Sequence, residues 1–599
     1  MRHIAILDFG SQYTHLIARR IRELGALANI YPTDVTAETV KKDAAGIILS
    51  GGPQSVYDKE SPQIDAAIFN LGVPVLGLCY GHQLIARTLG GSVAPGTVRE
   101  YGRAQLAVRN TESLLAEVNS PTTVWMSHGD TVTNLPEGFI TIGSTADCEH
   151  AAVANNKRNI FGFQFHPEVR HTEAGMRMLN NFVFNACKAE KNWNIEGMMD
   201  DIIQEIQTQA KGRSVFLLVS GGVDSSVCFA LLEKALGAEQ VYGLYVDTGF
   251  MRKNESAEIK RNLESAGFGN LHVLDASDTF YQRLAGITDP EEKRKIIGQT
   301  FLDVKDNAAK SLGLDSEAWM LGQGTIYPDT IETGGTRHAD TIKTHHNRVD
   351  AIQKLIAQGR VIEPLKEFYK DEVRHIGSLL GLPDAIIKRH PFPGPGLAIR
   401  ILCSESGEQQ IDAELPPTSS QQPLATPHHI LPIRSVGVQG DNRTYAHPLA
   451  VWGETDWEKL DKFSIAVTNS TKEINRVVLL LNARNMEPIF KRSPKAALLT
   501  QERTALLQEI DHIALSKATD AGLYDDIWQF AVVLAPIGYR YFESVILRPV
   551  VSQEAMTAHF ARIDHTILKK ITDAILATDS IDYVFYDITN KPPGTIEWE

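Results

Sequence analysis

A cysteine in a glycine-flanked turn is the first candidate for chemistry in this chain of 599 residues. Cys79 lies at the centre of Gly77-Leu78-Cys79-Tyr80-Gly81, between a short apolar run at 73–78 and a predicted helix from His82 to Leu89. A strand, a tight turn and a helix in this order are typical of a nucleophile elbow, here with cysteine in place of serine. The helix N-terminus favours the thiolate form of the side chain. The alternative is an unreactive cysteine buried in an ordinary glycine turn.

Groups that would assist a nucleophilic thiol occur elsewhere in the chain. The backbone N–H of Tyr80 and one from the glycine turn 50–53, for which we choose Gly52, are expected to donate to a developing oxyanion. His166-Pro167-Glu168 follows the apolar run 161–165, so an imidazole and a carboxylate stand two residues apart in a turn. A base that bonds the thiol and is oriented by an acid is the arrangement that nucleophilic catalysis requires. Alone, the tripeptide is also compatible with a surface turn.

A second glycine turn has the features of a phosphate site. It follows the predicted strand 214–219, opens a helix, and consists of Ser220, Gly221, Gly222, Val223, Asp224, Ser225 and Ser226. Successive N–H groups at a helix N-terminus form a cradle for anions, and no Gly-Lys-Ser/Thr follows, which excludes a Walker A loop. Asp224 would serve as a ligand of Mg²⁺ held against the phosphates. Asp247, at the end of the next predicted strand, either contacts the nucleotide or caps a turn. The alternative for the whole loop is a tight βα turn with a serine cap.

These two turns require sheets whose strands end beside them. Short β-branched runs alternate with amphipathic stretches in two successive blocks, 1–190 and 195–401, joined by the polar stretch 188–194. This alternation predicts two consecutive doubly wound, mainly parallel α/β sheets.

The third block, 402–599, has a different pattern and is predicted to be α+β. Strands are predicted at 433–438 and 583–588, and long helices near 458–481 and 500–518. Its first part, 405–432, is rich in proline, serine and glutamine and is interpreted as a flexible insertion because it cannot bury much apolar area.

Composition limits the classes of protein that fit. Hydrophobic residues make up 43% of the chain, enough for globular cores, and 59 basic against 73 acidic side chains give a net charge of −14 that disfavours broad nucleic-acid binding. No apolar run reaches the roughly 18 residues of a membrane span, and the N-terminus does not read as a signal peptide. The five widely spaced cysteines argue against a disulfide scaffold or a thiolate-rich zinc site. A cytoplasmic enzyme is expected.

Residues 1–188 resemble class I glutamine amidotransferases. The resemblance is carried by Gly51-Gly52-Pro53, Gly77-Leu78-Cys79-Tyr80-Gly81-His82-Gln83 and His166-Pro167-Glu168. It implies that Cys79 attacks the glutamine side-chain carbonyl, that His166 transfers protons, and that Glu168 orients the imidazole. By the same resemblance Gln83, Ser127 and His128 contact glutamine.

The remaining motifs resemble an ATP-dependent ligase. The heptapeptide 220–226 resembles the pyrophosphate loop of N-type ATP pyrophosphatases. Five further segments resemble signatures of GMP synthetases: Gln323–Asp329, Ile342–Asn347, His390–Leu397, Val436–Asp441 and Lys591–Glu599. By this resemblance Gln439, Lys591 and Glu597 contact XMP, and we add Arg548 as a second cation for its phosphate. Lys343 is expected in a lid over the phosphates.

The resemblance implies that XMP, ATP, glutamine and water give GMP, AMP, pyrophosphate and glutamate, with Mg²⁺ accompanying ATP. The partners would then be small molecules, with neither nucleic acid nor membrane. A long expansion between Tyr445 and Arg548 leaves both a homodimer and a monomer open. One alternative is amidation of another adenylated acceptor, such as a nicotinate dinucleotide or a tRNA base, although no basic tract supports RNA binding. The other is a non-catalytic nucleotide-binding regulator, which would be expected to lack Cys79, His166 or Asp224.

Overall fold

The structure is a computed structural model that describes most of the chain. The described residues are 2–58, 61–110, 113–313, 318–329, 358–405, 427–439, 442–483, 496–552 and 558–599. The chain divides into two compact units, Met1–Met199 with Tyr327–Ile342, and Asp200–Ile326 with Lys343–Glu599. No helix of the described residues is both long and apolar enough to cross a lipid bilayer.

The first unit is built on a nine-stranded sheet with the order β2-β1-β3-β4-β9-β8-β7-β5-β6. Its strands are β1 (His3–Asp8), β2 (Ala28–Pro32), β3 (Ala44–Leu49), β4 (Val75–Leu78), β5 (Ser92–Val108), β6 (Thr122–Asn134), β7 (Ile140–Ser144), β8 (Ala152–Asn155) and β9 (Ile160–Phe163). The first four and β9 pair in parallel, and the others are antiparallel. The central strands β3 and β4 are continuous, fully buried apolar runs, as expected of parallel strands whose sheet is covered by helices on both faces.

Short helices of the first unit follow its parallel strands. They are α1 (Thr14–Glu23), α2 (Ala37–Lys41), α3 (Tyr80–Thr88) and α4 (Gly175–Asn180), with 3₁₀ turns at Ala66–Asn70 and Ser113–Leu115 and a π-helical turn at Asn181–Ala186. The carboxyl ends of β3, β4 and β9 lie side by side in the sheet. Residues that follow these three strands therefore meet at one edge, where ligands bind in open α/β sheets.

The second unit begins with a five-stranded, fully parallel sheet in the order β12-β11-β10-β13-β14. Its strands are β10 (Ser214–Leu218), β11 (Val241–Asp247), β12 (Leu271–Asp275), β13 (Trp319–Gly322) and β14 (Val361–Ile362). The helices are α5 (Ile195–Ala210), α6 (Val223–Leu236), α7 (Glu255–Ser265), α8 (Ser277–Leu284), α9 (Pro290–Ser311), α10 (Lys370–Leu379) and α11 (Asp384–Ile387), with 3₁₀ turns at Ala238–Gln240 and Gly396–Arg400.

A mixed eight-stranded sheet completes the second unit and has the order β15-β17-β18-β22-β20-β19, with β16 paired to β17 and β21 to β20. Its strands are β15 (His428–Ile430), β16 (Ser435–Gln439), β17 (Asn442–Val451), β18 (Ile474–Ala483), β19 (Gln529–Ala535), β20 (Ser544–Val551), β21 (His559–Phe560) and β22 (Tyr583–Asp587). Three helices, α12 (Trp457–Ser470), α13 (Gln501–Asp520) and α14 (His565–Leu576), pack against it. The predicted fold class, two α/β sheets followed by an α+β region, is confirmed.

One local prediction is wrong, and another falls mostly outside the described residues. The helix predicted at 458–481 ends at Ser470, and residues 474–483 form β18 instead, since their apolar, partly β-branched sequence pairs with β17 and β22 in the buried sheet. Most of the insertion predicted to be flexible, residues 406–426, lies outside the described residues. Its end forms β15, which pairs with β17.

One hydrophobic cluster runs through the second unit. It includes Phe250 and Leu397 beside the parallel sheet, together with Leu507, Leu534 and Ile571 from the mixed sheet and its helices. Because the same core serves both sheets, the parallel and the mixed sheet stabilise each other.

Candidate active sites

Cys79 lies in a strained turn between β4 and α3. Its φ and ψ are 51° and −102°, in a region that side-chain-bearing residues rarely occupy. The Cys79 N–H donates to the carbonyl of Phe163 at 2.8 Å, and the Gly81 N–H donates to that of Ser50 at 3.1 Å. A Cβ at Gly81 would overlap the backbone of Leu49. The turn therefore depends on glycine and presents the thiol at the N-terminus of α3, as the sequence predicted for an elbow.

The imidazole of His166 lies between the thiol and a carboxylate. Its Nδ1 is 2.7 Å from Oε1 of Glu168, and the side chain of Cys79 is near enough to influence the pKa of the ring. Both His166 and Glu168 are almost fully buried. Burial opposes the charged form of the ring, but the charge and hydrogen bond of Glu168, together with the influence of Cys79, outweigh it and raise the pKa of His166 well above its usual value. The ring can therefore retain a proton taken from the thiol.

The backbone around His166 is fixed by three neighbours. Its N–H donates to the carbonyl of Trp125 at 3.0 Å, and its own carbonyl accepts from the Thr172 hydroxyl at 2.6 Å. The edge of the Tyr13 ring faces the imidazole, with ring centroids 5.0 Å apart. The base is thus held in one orientation relative to Cys79.

The predicted oxyanion donors follow two adjacent strands. Tyr80 is the first residue of α3, so its N–H has no acceptor within its own helix. Gly52 follows β3 in the turn whose Ser50 carbonyl is bonded to the elbow. The turn and the elbow are therefore in direct contact.

The three predicted glutamine contacts take different positions. The Gln83 amide donates to the carbonyl of Asp130 at 2.8 Å, and the carbonyl of Ser127 accepts from the Cys79 thiol at 3.5 Å. The ring of His128 instead lies against Glu100 and the Asp130 carbonyl. The structure therefore brings the Ser127 backbone to Cys79, and it does not bring the His128 ring there.

The phosphate loop joins β10 to α6. Gly221 has a φ of +77°, and a Cβ there would overlap Ile259, so the position requires glycine. The hydroxyls of Ser220 and Ser225 lie 3.0 Å apart, and the Ser220 N–H donates to Oγ of Ser225 at 3.1 Å. The loop is partly exposed at the start of α6, as an anion cradle requires.

Asp224 has the chemistry expected of a cation ligand. Its Oδ2 pairs with Nζ of Lys370 at 3.2 Å, and its Oδ1 is buried with no hydrogen-bond partner among the described residues. An unpartnered carboxylate oxygen beside a phosphate cradle fits a hard cation such as Mg²⁺. Lys370, the first residue of α10, is a cation near the loop that the sequence pattern did not identify.

Asp247, predicted as a nucleotide contact, is held by its own loop. Its Oδ1 accepts from the Gly249 N–H at 2.8 Å and its Oδ2 from the Ser256 hydroxyl at 2.6 Å. It lines a cavity of about 320 Å³ with Asp275 and Gln508 among the other lining residues. The position is therefore beside a space for a ligand, while both carboxylate oxygens already have donors.

A second cation that the sequence pattern missed lies behind the phosphate loop. Arg389 donates from one Nη to the carbonyl of Gly221 at 2.6 Å and pairs with Glu255 through the other. Burial and the charge of Arg252 lower the pKa of Arg389 to about 10, so it stays charged at neutral pH. Its hydrogen bond to the Gly221 carbonyl ties it to the loop.

Glu597, a predicted XMP contact, is paired within the second unit. Its carboxylate accepts from Nε and Nη2 of Arg400 at 2.9 and 2.8 Å, and from the Gln529 amide at 2.6 Å. Burial favours the neutral acid, but Arg400 and Gln529 outweigh it and lower the pKa of Glu597. This motif residue is therefore an ionised, pre-oriented carboxylate.

The other predicted XMP contacts are spread over the mixed sheet. Gln439 is the last residue of β16. Lys591 is partly buried and exchanges backbone hydrogen bonds with Ala558, and burial followed by the charge of Arg548 lowers its pKa. Lys343 lies outside the described residues.

Arg548 does not reach a position where it could pair with a ligand phosphate. It is fully buried and lies 3.0 Å from Asp587, and it also donates to the carbonyls of Thr589 and Thr595. Asp587 pairs with Arg476 as well, at 2.8 Å. The guanidinium of Arg548 therefore supports the chain on either side of Lys591 instead of facing solvent.

The thiol site and the sheet around it define a class I glutamine amidotransferase, and the rest of the chain adds an ATP-dependent ligase. Residues 5–186 match the family Glutamine amidotransferase class-I, residues 194–281 match NAD synthase, and residues 516–598 match GMP synthase C terminal domain.

The chain is similar to curated proteins over nearly their full length. A protein of Leptospira interrogans (serovar copenhageni, strain Fiocruz L1-130), described as a "probable GMP synthase" of the glutamine-hydrolyzing type, is 49% identical over 100% of this chain and 99% of its own. Glutamine-hydrolyzing GMP synthases of Brachyspira hyodysenteriae and Aquifex aeolicus are each 37% identical over 100% of this chain and 99% of theirs. The chain belongs to the glutamine-hydrolysing GMP synthase family, whose members are ligases.

Proposed function

We propose that the chain converts XMP to GMP, with ammonia from glutamine and energy from the cleavage of ATP to AMP and pyrophosphate. The observation that carries the amidotransferase half is that Cys79, at a strained elbow, lies beside the hydrogen-bonded pair of His166 and Glu168. The phosphate loop of the second unit supports the ATP-dependent half.

Glutamine hydrolysis begins at the thiol. His166 accepts the proton of Cys79 while the sulfur attacks the side-chain carbonyl of glutamine, and the N–H groups of Tyr80 and Gly52 stabilise the oxyanion. The protonated ring then gives its proton to the leaving ammonia. Water then attacks the glutamyl thioester through a second oxyanion, again with His166 transferring the proton, and glutamate is released. Glu168 keeps the ring in the tautomer that this sequence needs.

ATP activates the acceptor in the second unit. The N–H groups and hydroxyls of residues 220–226 bind the phosphates, and Lys370 and the loop-bound Arg389 add positive charge nearby. Asp224 would hold Mg²⁺, which neutralises phosphate charge when bound. The xanthine 2-oxygen displaces pyrophosphate from the α-phosphorus, and ammonia then displaces AMP from carbon 2.

The mixed sheet supplies the acceptor site. We assign the purine and ribose contacts to Gln439 and Glu597 and the phosphate contact to Lys591, while Arg548 positions the segment that carries them. The enzyme is expected in the cytoplasm as a monomer or homodimer, with domains at 1–190, 195–401 and 402–599.

Product analysis tests the proposal directly. With ATP, glutamine and XMP, mass spectrometry should find equal amounts of AMP and GMP, and AMP should not accumulate when XMP is omitted. Nicotinate dinucleotide in place of XMP is the matched control. ADP with orthophosphate as the products, or turnover with the control acceptor, would contradict the proposal.

A further inference from the structure

Three metal-ligating side chains converge in the first unit outside the Cys79 series. Glu100, His128 and Cys148 each place one ligand atom within 4.8 Å of the others. Glu100 and His128 are directly opposite on the antiparallel strands β5 and β6, and Cys148 lies between β7 and β8. All three are buried, with 9%, 6% and 1% of their surfaces exposed.

Both ring nitrogens of His128 lie against acceptor oxygens. Its Nδ1 lies 2.9 Å from the carbonyl of Asp130, and since a carbonyl only accepts, we assign the ring hydrogen to Nδ1. The neutral ring then presents a lone pair at Nε2, which is 3.0 Å from Oε2 of Glu100. Two lone pairs at this distance require a cation between them, either a proton or a metal ion.

Hydrogen bonds from neighbouring residues hold the three residues in place, as outer-shell hydrogen bonds do for the ligands of a metal ion. A ligating histidine commonly donates its other N–H to a carbonyl, as Nδ1 of His128 does here. The Thr145 hydroxyl donates to Oε1 of Glu100 at 3.0 Å, and the Cys148 N–H donates to the Thr145 oxygen at 3.0 Å. Thr145 therefore fixes the carboxylate and the cysteine together.

We propose that Glu100, His128 and Cys148 bind a Zn²⁺ ion. One carboxylate, one imidazole and one thiolate form a donor set typical of zinc, and three protein ligands leave a fourth position for water or a small ligand. A cysteine binds zinc as the thiolate, so binding would release the proton of the Cys148 thiol. The site does not depend on the proposed function.

The site bears on the glutaminase through β6. His128 follows Ser127, whose carbonyl accepts from the Cys79 thiol. An ion at His128 would restrict the movement of this strand next to the nucleophile.

Cobalt substitution tests the site in the full-length protein. After treatment with a chelator, titration with Co²⁺ should give one equivalent of bound metal, a thiolate-to-cobalt charge-transfer band in the near ultraviolet, and displacement of the band by Zn²⁺. Absence of the band would overturn the proposal.

Variants identify the ligands. Cys148→Ser should remove the band and weaken Zn²⁺ binding more than about 100-fold, since even outer-shell changes cost 10- to 100-fold. Glu100→Gln, which keeps every cysteine, should weaken binding similarly, and Cys403→Ser is the matched control that should bind as the wild type does. Equal Zn²⁺ binding by wild type, Glu100→Gln and Cys148→Ser would show that only a proton joins Glu100 and His128.

Discussion

Nδ1 of His166 lies 2.7 Å from a carboxylate oxygen of Glu168, and both groups are buried. The two residues belong to one turn at the end of β9, while Cys79 follows β4, the adjacent parallel strand. The pairing of these two strands therefore sets the distance between nucleophile and base. A small shift in strand register would separate them.

Replacement of the nucleophile should separate the two half-reactions. Cys79→Ala is expected to reduce glutamine-dependent GMP formation more than about 10⁴-fold, because the residues of a catalytic triad act as a unit. Synthesis with added ammonium should be retained. Cys187→Ala, at another buried cysteine, is the control that should leave glutamine use intact. Loss of both activities in Cys79→Ala would contradict separate sites.

Asp224 should be required with either nitrogen source. Asp224→Asn keeps the shape of the side chain but removes the charge that would hold Mg²⁺, so neither glutamine nor ammonium should support synthesis. The rate of glutamine hydrolysis at the Cys79 site is the internal comparison. If ammonium-driven GMP formation survives in the variant, the assigned role of Asp224 is wrong.

His82 should make the first unit acid-labile. The ring is fully buried, has no hydrogen-bond partner for either nitrogen among the described side chains, and burial lowers its pKa from 6.5 to about 3. In the unfolded chain His82 binds a proton below pH 6.5, whereas in the folded protein it does so only near pH 3. The contribution of the neutral ring to the free energy of unfolding is therefore fully present above pH 6.5. It should fall by about 1.4 kcal/mol per pH unit between pH 6.5 and 3.

The comparison for His82 is His82→Asn, which cannot titrate. Denaturant unfolding at several pH values should show a lower stability at neutral pH but a smaller decline toward pH 4.5. An equal slope in both proteins would assign the acid lability to other groups.

The buried charge cluster around Asp587 should be important for stability. Asp587→Asn leaves the guanidiniums of Arg476 and Arg548, both fully buried, without a counter-charge. A loss of about 3–5 kcal/mol is expected. Asp573→Asn breaks the exposed ion pair with Lys569 and should cost less than about 0.5 kcal/mol. Similar midpoints in urea for the two variants would contradict the importance of the cluster.

Local sequence was sufficient to predict the elbow, because glycines, cysteine and helix start are within a few residues of one another. It also predicted the phosphate loop for the same reason. Lys370 could not be found in this way, since it is 146 residues from its partner Asp224 and no motif marks it. The sequence predicted that Arg548 binds a phosphate, because it shows a cation and not its surroundings. The burial of Arg548 depends on Asp587, which only the folded sheet brings beside it.

The hydrophobic cluster shared by both sheets of the second unit has a practical consequence for dissecting the enzyme. A cut near residue 199 would leave both sheets of the second unit, and the interior that they share, on one polypeptide, which would also carry Tyr327 of the first unit. A cut within 406–426 would instead divide a single interior between two polypeptides, and each fragment would expose apolar surface and aggregate unless both were produced in the same cell.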